Sequence, residues 1–265
     1  MLASSPSRLP RISLILFLTV WSVPNLVTAA SSPPAGFRAL FNGEGLTGWW
    51  GAATEDPHEW MALPPAELAA KRKASLADIE THWSVEGDEL VNGGEGLYLT
   101  TDENFGDYEL LLEYRTVAGA DSGIYLKGCP QIQIWDTTEA GGKWDRGAKE
   151  GSGGLWNNSP GATGKDPLVP ADRPFGEWNQ FRVIQCGART WVWFNDQLVV
   201  DGAILENYFD KTRKQPIPAR GPIQLQTHGG EIRWRNIFVR EIEPAEANTR
   251  LSKIAPKGFD SIFNG

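Results

Sequence analysis

The sequence predicts an all-β fold, an antiparallel two-sheet sandwich with one inserted surface helix, and three observations support that class. Apolar residues alternate with a period of two through most of the chain, Gly, Pro, Asn and Asp interrupt the runs at short intervals, and only one segment has helical offsets. A length of 265 residues suits a single core of this type. An α/β nucleotide fold would need helices alternating with the strands, and that pattern is missing.

Taken in order, Arg8 and Arg11 precede an almost wholly apolar run at residues 12–23, then Pro24 and the small-residue stretch Val27, Thr28, Ala29 and Ala30. This is the layout of a secretory leader over residues 1–30, because about a dozen apolar residues fall short of the roughly 20 a spanning helix needs. Cleavage is expected after Ala29 or Ala30. No cysteine follows that site, so the mature protein is expected to be exported, periplasmic or extracellular, without stable membrane insertion. Residues 31–35 read as a linker, and residues 36–50 (GFRALFNGEGLTGWW) open a domain running to residue 243. Residues 64–79 (PPAELAAKRKASLADI) carry the helix: a proline start, an acidic first turn, and Leu68, Leu76 and Ile79 at helical offsets.

After the helix, strands are expected at residues 109–115, 123–128, 131–136, 181–186, 191–200 with a turn at Asn195 and Asp196, 222–228 and 232–242. A Pro/Ala/Glu-rich stretch at residues 244–257 reads as a second linker. Residues 258–265 (GFDSIFNG) echo residues 36–43 (GFRALFNG), which suggests the start of a truncated second domain in the same chain.

Composition narrows the partners. The net charge of −8 grows two units more negative when Arg8 and Arg11 leave, which argues against a nucleic-acid backbone binder. A chain with 12 Trp, 29 Gly and 18 Pro fits a β protein with a carbohydrate or small-molecule surface better than a helical bundle. Cys129 and Cys186 allow either one disulfide or two buried thiols. His58, His82 and His228 are scattered, and neither CxxC nor HExxH occurs, so no metal or cofactor is expected. The GSGG at residues 151–154 lacks a strand-then-helix context and reads as a loop, not a phosphate cradle.

Alternation sorts the strand residues by face. Gln131, Gln133 and Trp135 oppose Ile132 and Ile134; Gln224, Gln226 and His228 oppose Ile223, Leu225 and Thr227. Asp121, Tyr125 and Lys127 oppose Ile124 and Leu126, while Glu109, Glu113 and Arg115 oppose Leu110, Leu112 and Tyr114. An ordinary solvated face is rich in Lys, Glu and Thr; this one concentrates groups that hydrogen-bond and stack on sugar rings. His228 can act as acid or base, as histidine side chains do, or can simply be a bonded strand-end histidine. Asp136 has the opposite parity to Gln133 and is either a strand-end cap or a site residue carried inward by a bulge.

The blocks GFRALFNGEGLTGW, DSGIYLKG, QIQIWD, PFGEWNQFRVI, WVWFNDQLVVDG and GPIQLQTHGGEIRWRNIFVREI, in that order from residue 36 to residue 242, together resemble the bacterial 3-keto-disaccharide hydrolase family. The helix at residues 64–79, the long loop at residues 140–173 and Gln131 in place of a common glutamate depart from that family's short form. The resemblance implies a concanavalin-like jelly roll and cleavage of glycosides already oxidised to a ketone at C3. Such chemistry requires a base, an oxyanion stabiliser and a leaving-group acid. On face parity and resemblance together, His228 and Glu113 are the expected acid–base residues. Lys127 and Gln133 are assigned to the enolate or keto oxygen, Trp135 to stacking, and Asp121, Asp136 and Gln226 to further substrate contacts. The other functional class is a non-catalytic, lectin-like carbohydrate-binding module, since fold does not dictate function. All these groups except Asp136 are expected to line one concave pocket, with the loop at residues 140–173 as wall or lid.

Overall fold

The structure is a computed structural model and describes residues 32–254. The leader expected at residues 1–30 and the echo at residues 258–265 lie outside the described residues.

Among the described residues thirteen strands follow one another: β1 (Arg38–Ala39), β2 (Trp49–Ala52), β3 (Trp83–Glu86), β4 (Glu89–Asn92), β5 (Tyr98–Thr101), β6 (Tyr108–Thr116), β7 (Ser122–Leu126), β8 (Cys129–Ile134), β9 (Asn179–Cys186), β10 (Arg189–Phe194), β11 (Gln197–Ile204), β12 (Gln224–Leu225) and β13 (Ile232–Glu241). The larger sheet runs β11-β10-β9-β6-β13-β4-β3, with β1 against the far half of β13. The smaller sheet runs β2-β5-β12-β7-β8, and every pairing is antiparallel. This is the antiparallel two-sheet sandwich that the period-two pattern predicts and the jelly roll that the resemblance implies.

The core lies between the sheets and follows the alternation. On β6, Tyr108, Leu110, Leu112 and Tyr114 point inward, and Tyr114 stacks near Phe181 and Phe194. The small sheet answers with Leu99, Ile124, Ile132, Ile134 and Leu225. On β13 the inward set changes from Ile232 and Trp234 to Ile237 and Val239, because a bulge with Asn236 at φ +52° inserts one residue and reverses the parity. Two hairpins close on two-residue turns with both central residues left-handed, Lys127-Gly128 and Asn195-Asp196.

Three helices accompany the sheets: α1 (Pro57–Met61), α2 (Pro65–His82) and α3 (Pro244–Ser252). The inserted helix α2 ends three residues beyond its expected end and covers the edge strand β2. Ser75 Oγ accepts the Gly51 N–H at 2.8 Å, and Ile79 is buried against Gly51. The stretch 244–257 read as linker instead begins with α3, whose Ala247 and Leu251 pack on Ile184, Cys186 and Trp191 of the large sheet. Cys129 and Cys186 are both free and buried. Among the described residues no helix is long and apolar enough to cross a membrane.

Candidate active site

A functional face forms on the outside of the small sheet. Two segments far apart in sequence are sewn together there by backbone and hydroxyl bonds: Asp121 N–H to Gly229 O at 2.8 Å, Gln226 N–H to Gly123 O at 2.9 Å, and Ser122 Oγ to Gln226 O at 2.7 Å. With the aliphatic side chains of β7, β8 and β12 turned to the core, Tyr125, Gln131, Gln133 and Gln226 emerge outside. Gly123 makes the room they occupy: a Cβ there would lie 2.8 Å from Ile132 O and 3.0 Å from both the Gln131 carboxamide and Gln226 Oε1.

Asp121 is the hub. Its buried carboxylate, 6% exposed, accepts His228 Nδ1 on Oδ2 at 2.8 Å, Lys143 Nζ on the same oxygen, and Gln133 Nε2 on Oδ1 at 2.7 Å. Burial pushes its carboxyl upward, but the hydrogen bonds from His228 and then Lys143 outweigh that and hold it below its ordinary value. An ionised carboxylate only accepts, so Nδ1 of His228 carries a proton, and the ring that it orients lines the pocket. The His228 side chain is 55% exposed, open to a ligand.

The wall comes from the loop after β8. Asp136 fixes its root, accepting Gly119 N–H at 2.7 Å and both the N–H and hydroxyl of Thr138. Ser152 Oγ accepts the Trp135 N–H at 2.9 Å, and Ser152 N–H is in turn bound by Asp172. The loop brings Lys143, Arg146, Trp156 and Asn157 to the pocket, with Trp135 and Trp156 edge to face at 5.2 Å. At the other end the Tyr98 and Tyr125 rings meet edge to face at 5.3 Å, and both hydroxyls reach Thr54 Oγ1, at 2.9 and 3.3 Å. Burial, with Tyr98 beside it, pushes the Tyr125 phenol up and keeps it protonated. The pocket measures about 210 Å³. That is below the roughly 300–1,000 Å³ of drug-sized sites and suits a single sugar ring. Gln226 Oε1 and Asn157 Oδ1 are buried here without a protein donor, and sugar hydroxyls are suitable donors for them.

The structure thus brings together Asp121, Gln133, Trp135, Gln226 and His228. It separates three others. Glu113 has the expected parity but belongs to β6 in the large sheet, whose outer face is on the opposite side of the molecule. There it pairs with Arg235 at 2.7 Å and Gln180 at 3.1 Å, beside a hollow of about 400 Å³ also lined by Leu111, Arg182, Trp193 and Phe238. Lys127 sits in the β7–β8 turn, where left-handed backbone redirects its side chain; Nζ is buried and donates to Gly187 O at 2.9 Å. Asp136 is the strand-end cap, not a pocket residue. Gln133 lines the pocket, but its amide N–H groups are committed to Asp121, Ser122 O and Ile134 O, and its carbonyl accepts Gln131, so it positions Asp121 and does not hold substrate. Sequence reasoning missed Lys143, Arg146, Trp156, Tyr98, Thr54 and Tyr208. The loop that carries Lys143, Arg146 and Trp156 is legible only as a wall or lid, Thr54 and Tyr208 lie in irregular segments with no period, and Tyr98 lies on a four-residue strand too short for a pattern. Among the described residues no group of three or more His, Cys, Asp or Glu side chains is placed to hold a metal.

Two solved structures are similar in fold. Both are described as candidate glycosyl hydrolases from Parabacteroides distasonis ATCC 8503. One shares 23% identity, covering 79% of this chain and 85% of that one at a TM-score of 0.53; the other shares 18%, covering 78% and 94% at 0.50. Among curated proteins none matches significantly. The sequence itself matches one domain family over residues 36–240, the span that holds both sheets and every residue of the pocket, and on that match the chain belongs to the 3-keto-alpha-glucoside-1,2-lyase-like domain family.

Proposed function

We propose that the protein cleaves 3-keto-glycosides by eliminating the C1 substituent across the C1–C2 bond. The observation that carries this is the His228–Asp121–Lys143 cluster: an exposed imidazole lining the pocket, a buried carboxylate that holds its Nδ1, and a cation alongside. A ketone at C3 acidifies the C2 hydrogen. His228 Nε2 takes that proton, the C–H electrons move into the C3 carbonyl as an enolate, and Lys143 with Arg146 offsets the developing charge. When the enolate collapses the C1–O bond breaks with Tyr98 or Tyr125 hydrogen-bonded to the departing oxygen, which leaves as the alcohol by taking a proton from water, and the imidazolium of His228 returns its proton to the hydroxide so formed. The sugar is left as an unsaturated ketone, and addition of water to it gives the net hydrolysis product. Trp156 with Trp135, and the free acceptors of Gln226 and Asn157, support recognition of the ring. We place the reaction outside the cytoplasm, on the leader-like segment at residues 1–30.

The test uses a 3-keto-glucoside carrying deuterium at C2 and its unoxidised parent. Aglycone release from the ketone with a primary isotope effect is expected, with none from the parent and a loss of roughly 10²-fold or more in His228→Ala. Equal release from the parent, or full activity in His228→Ala, overturns the mechanism. Saturable retention of the sugar without turnover would establish the other reading, a carbohydrate-binding module, which the aromatic pair and the free carboxamide acceptors also suit.

A further inference from the structure

A second hollow of about 570 Å³ adjoins the pocket. The two share Thr54, and the adjoining Tyr208 and Phe209, edge to face at 5.5 Å, line one each. Its other walls come from α1 and the start of α2: Glu55, Asp56, Glu59 and Trp60, with Leu63 and Lys71. Asp121 and Tyr125 stand four residues apart along extended chain, about 13 Å at ~3.3 Å per residue. In the proposed elimination the departing oxygen lies at Tyr98 or Tyr125, the end of the pocket where the two hollows share Thr54.

We propose that the hollow is the subsite for the leaving group, and that the inserted helices make it select by charge: cationic, amine-bearing aglycones over neutral ones, and neutral over anionic. This rests on the elimination reading of the adjoining pocket. The electrostatics follow from the pairing. Glu55 is matched by Lys71 at 2.6 Å, and Asp56 accepts the N–H and ring nitrogen of His58 at 2.9 and 3.1 Å as the α1 cap. The Glu59 carboxylate is exposed and has no ion-pair partner among the described residues. The wall is left with net negative charge beside apolar surface from Leu63 and Phe209, the combination that accepts a cation on an apolar stem.

Three 3-keto-glucosides test this, with aryl aglycones matched in leaving ability and carrying a distal ammonium, a neutral group or a carboxylate. In the wild type kcat/KM for the ammonium compound should exceed that for the carboxylate by roughly three- to tenfold at low salt, with the ratio shrinking as salt is added. Glu59→Gln should reduce the ratio and Glu59→Lys should invert it. Because Glu59 is exposed, both variants are expected to fold, and a thermal melt verifies it. A ratio near one in the wild type, or one that Glu59→Lys leaves in place, overturns the subsite while the elimination reading stands. Failure to turn over any of the three sinks the elimination reading, and this proposal with it.

Discussion

Replacing Asp121 by Asn removes one negative charge while keeping the shape of the side chain, and its consequence can be worked atom by atom. The Asn carbonyl can stay on Gln133 Nε2, which places the new NH₂ where Oδ2 now accepts both His228 and Lys143. Donor then faces donor. The imidazole relieves this by moving its proton to Nε2, so that Nδ1 accepts from the amide, and the lone pair that should take the C2 proton is gone. Loss of the correct tautomer and of the stabilised imidazolium is worth roughly 10²–10⁴ in kcat, or about 2.7–5.4 kcal/mol at 1.36 kcal/mol per decade. KM should change much less, because Asp121 is covered by His228, Lys143 and Gln133 and does not itself meet the ring. The measurements are kcat and KM on a 3-keto-glucoside across pH, ¹⁵N chemical shifts of His228 to read the tautomer, and a thermal melt, where leaving Lys143 without its anion should cost about 1–3 kcal/mol. A variant within threefold of wild-type kcat would refute the role given to Asp121, as would a lost rate with His228 still protonated on Nδ1.

Glu113→Gln should leave kcat/KM on the same substrate within about twofold of wild type and lower stability by ~1 kcal/mol or less, since it weakens one cross-strand ion pair on the far sheet; a large rate loss would reverse the assignment. Gly123→Ala should lower both stability, by about 1–3 kcal/mol, and activity, because the new methyl displaces the Gln131 and Gln226 carboxamides; unchanged substrate kinetics would show that those carboxamides do not act in the site. Acid titration of unfolding should show Asp121 stabilising the fold. Its carboxyl is held below the ordinary value of 3.8, so its contribution is full above that pH and is lost as the pH falls through the folded-state value. Urea unfolding of wild type and Asp121→Asn should therefore converge in strong acid, and a difference that persists there contradicts the sign.

The sequence indicates the face of each residue well and its sheet poorly, and the two acid–base candidates show why. His228 and Glu113 both fall at polar positions of runs that alternate in sequence, so nothing local distinguishes them. What separates them is strand pairing: β6 pairs with β9 and β13 in one sheet, whereas the Asp121 segment pairs with Gly229 in the other, a partner more than a hundred residues away. Such pairings are chosen by how whole strands pack, and a single sequence read strand by strand does not contain them. Lys127 shows a second limit. Its parity matches Tyr125, but the left-handed turn ends the strand one residue too early for parity to apply, and the buried ammonium joins the two sheets through Gly187 instead. The cation that the proposed chemistry needs is assigned to Lys143, on a loop that has no period to read. It reaches Asp121 because Asp136, a residue of the wrong parity for the pocket, caps the strand and turns the chain back over the sheet. In the proposed reaction the small sheet and the residues that flank its strands provide the rigid groups, His228 with its carboxylate and the carboxamides around it, while the loop after β8 and the inserted helices provide the charges assigned to the substrate: Lys143 and Arg146 at the ketone, Glu59 at the leaving group. Changes in the loop at residues 140–173 or in the inserted helices should alter which glycoside is taken, and changes on the strands should alter whether any is cleaved.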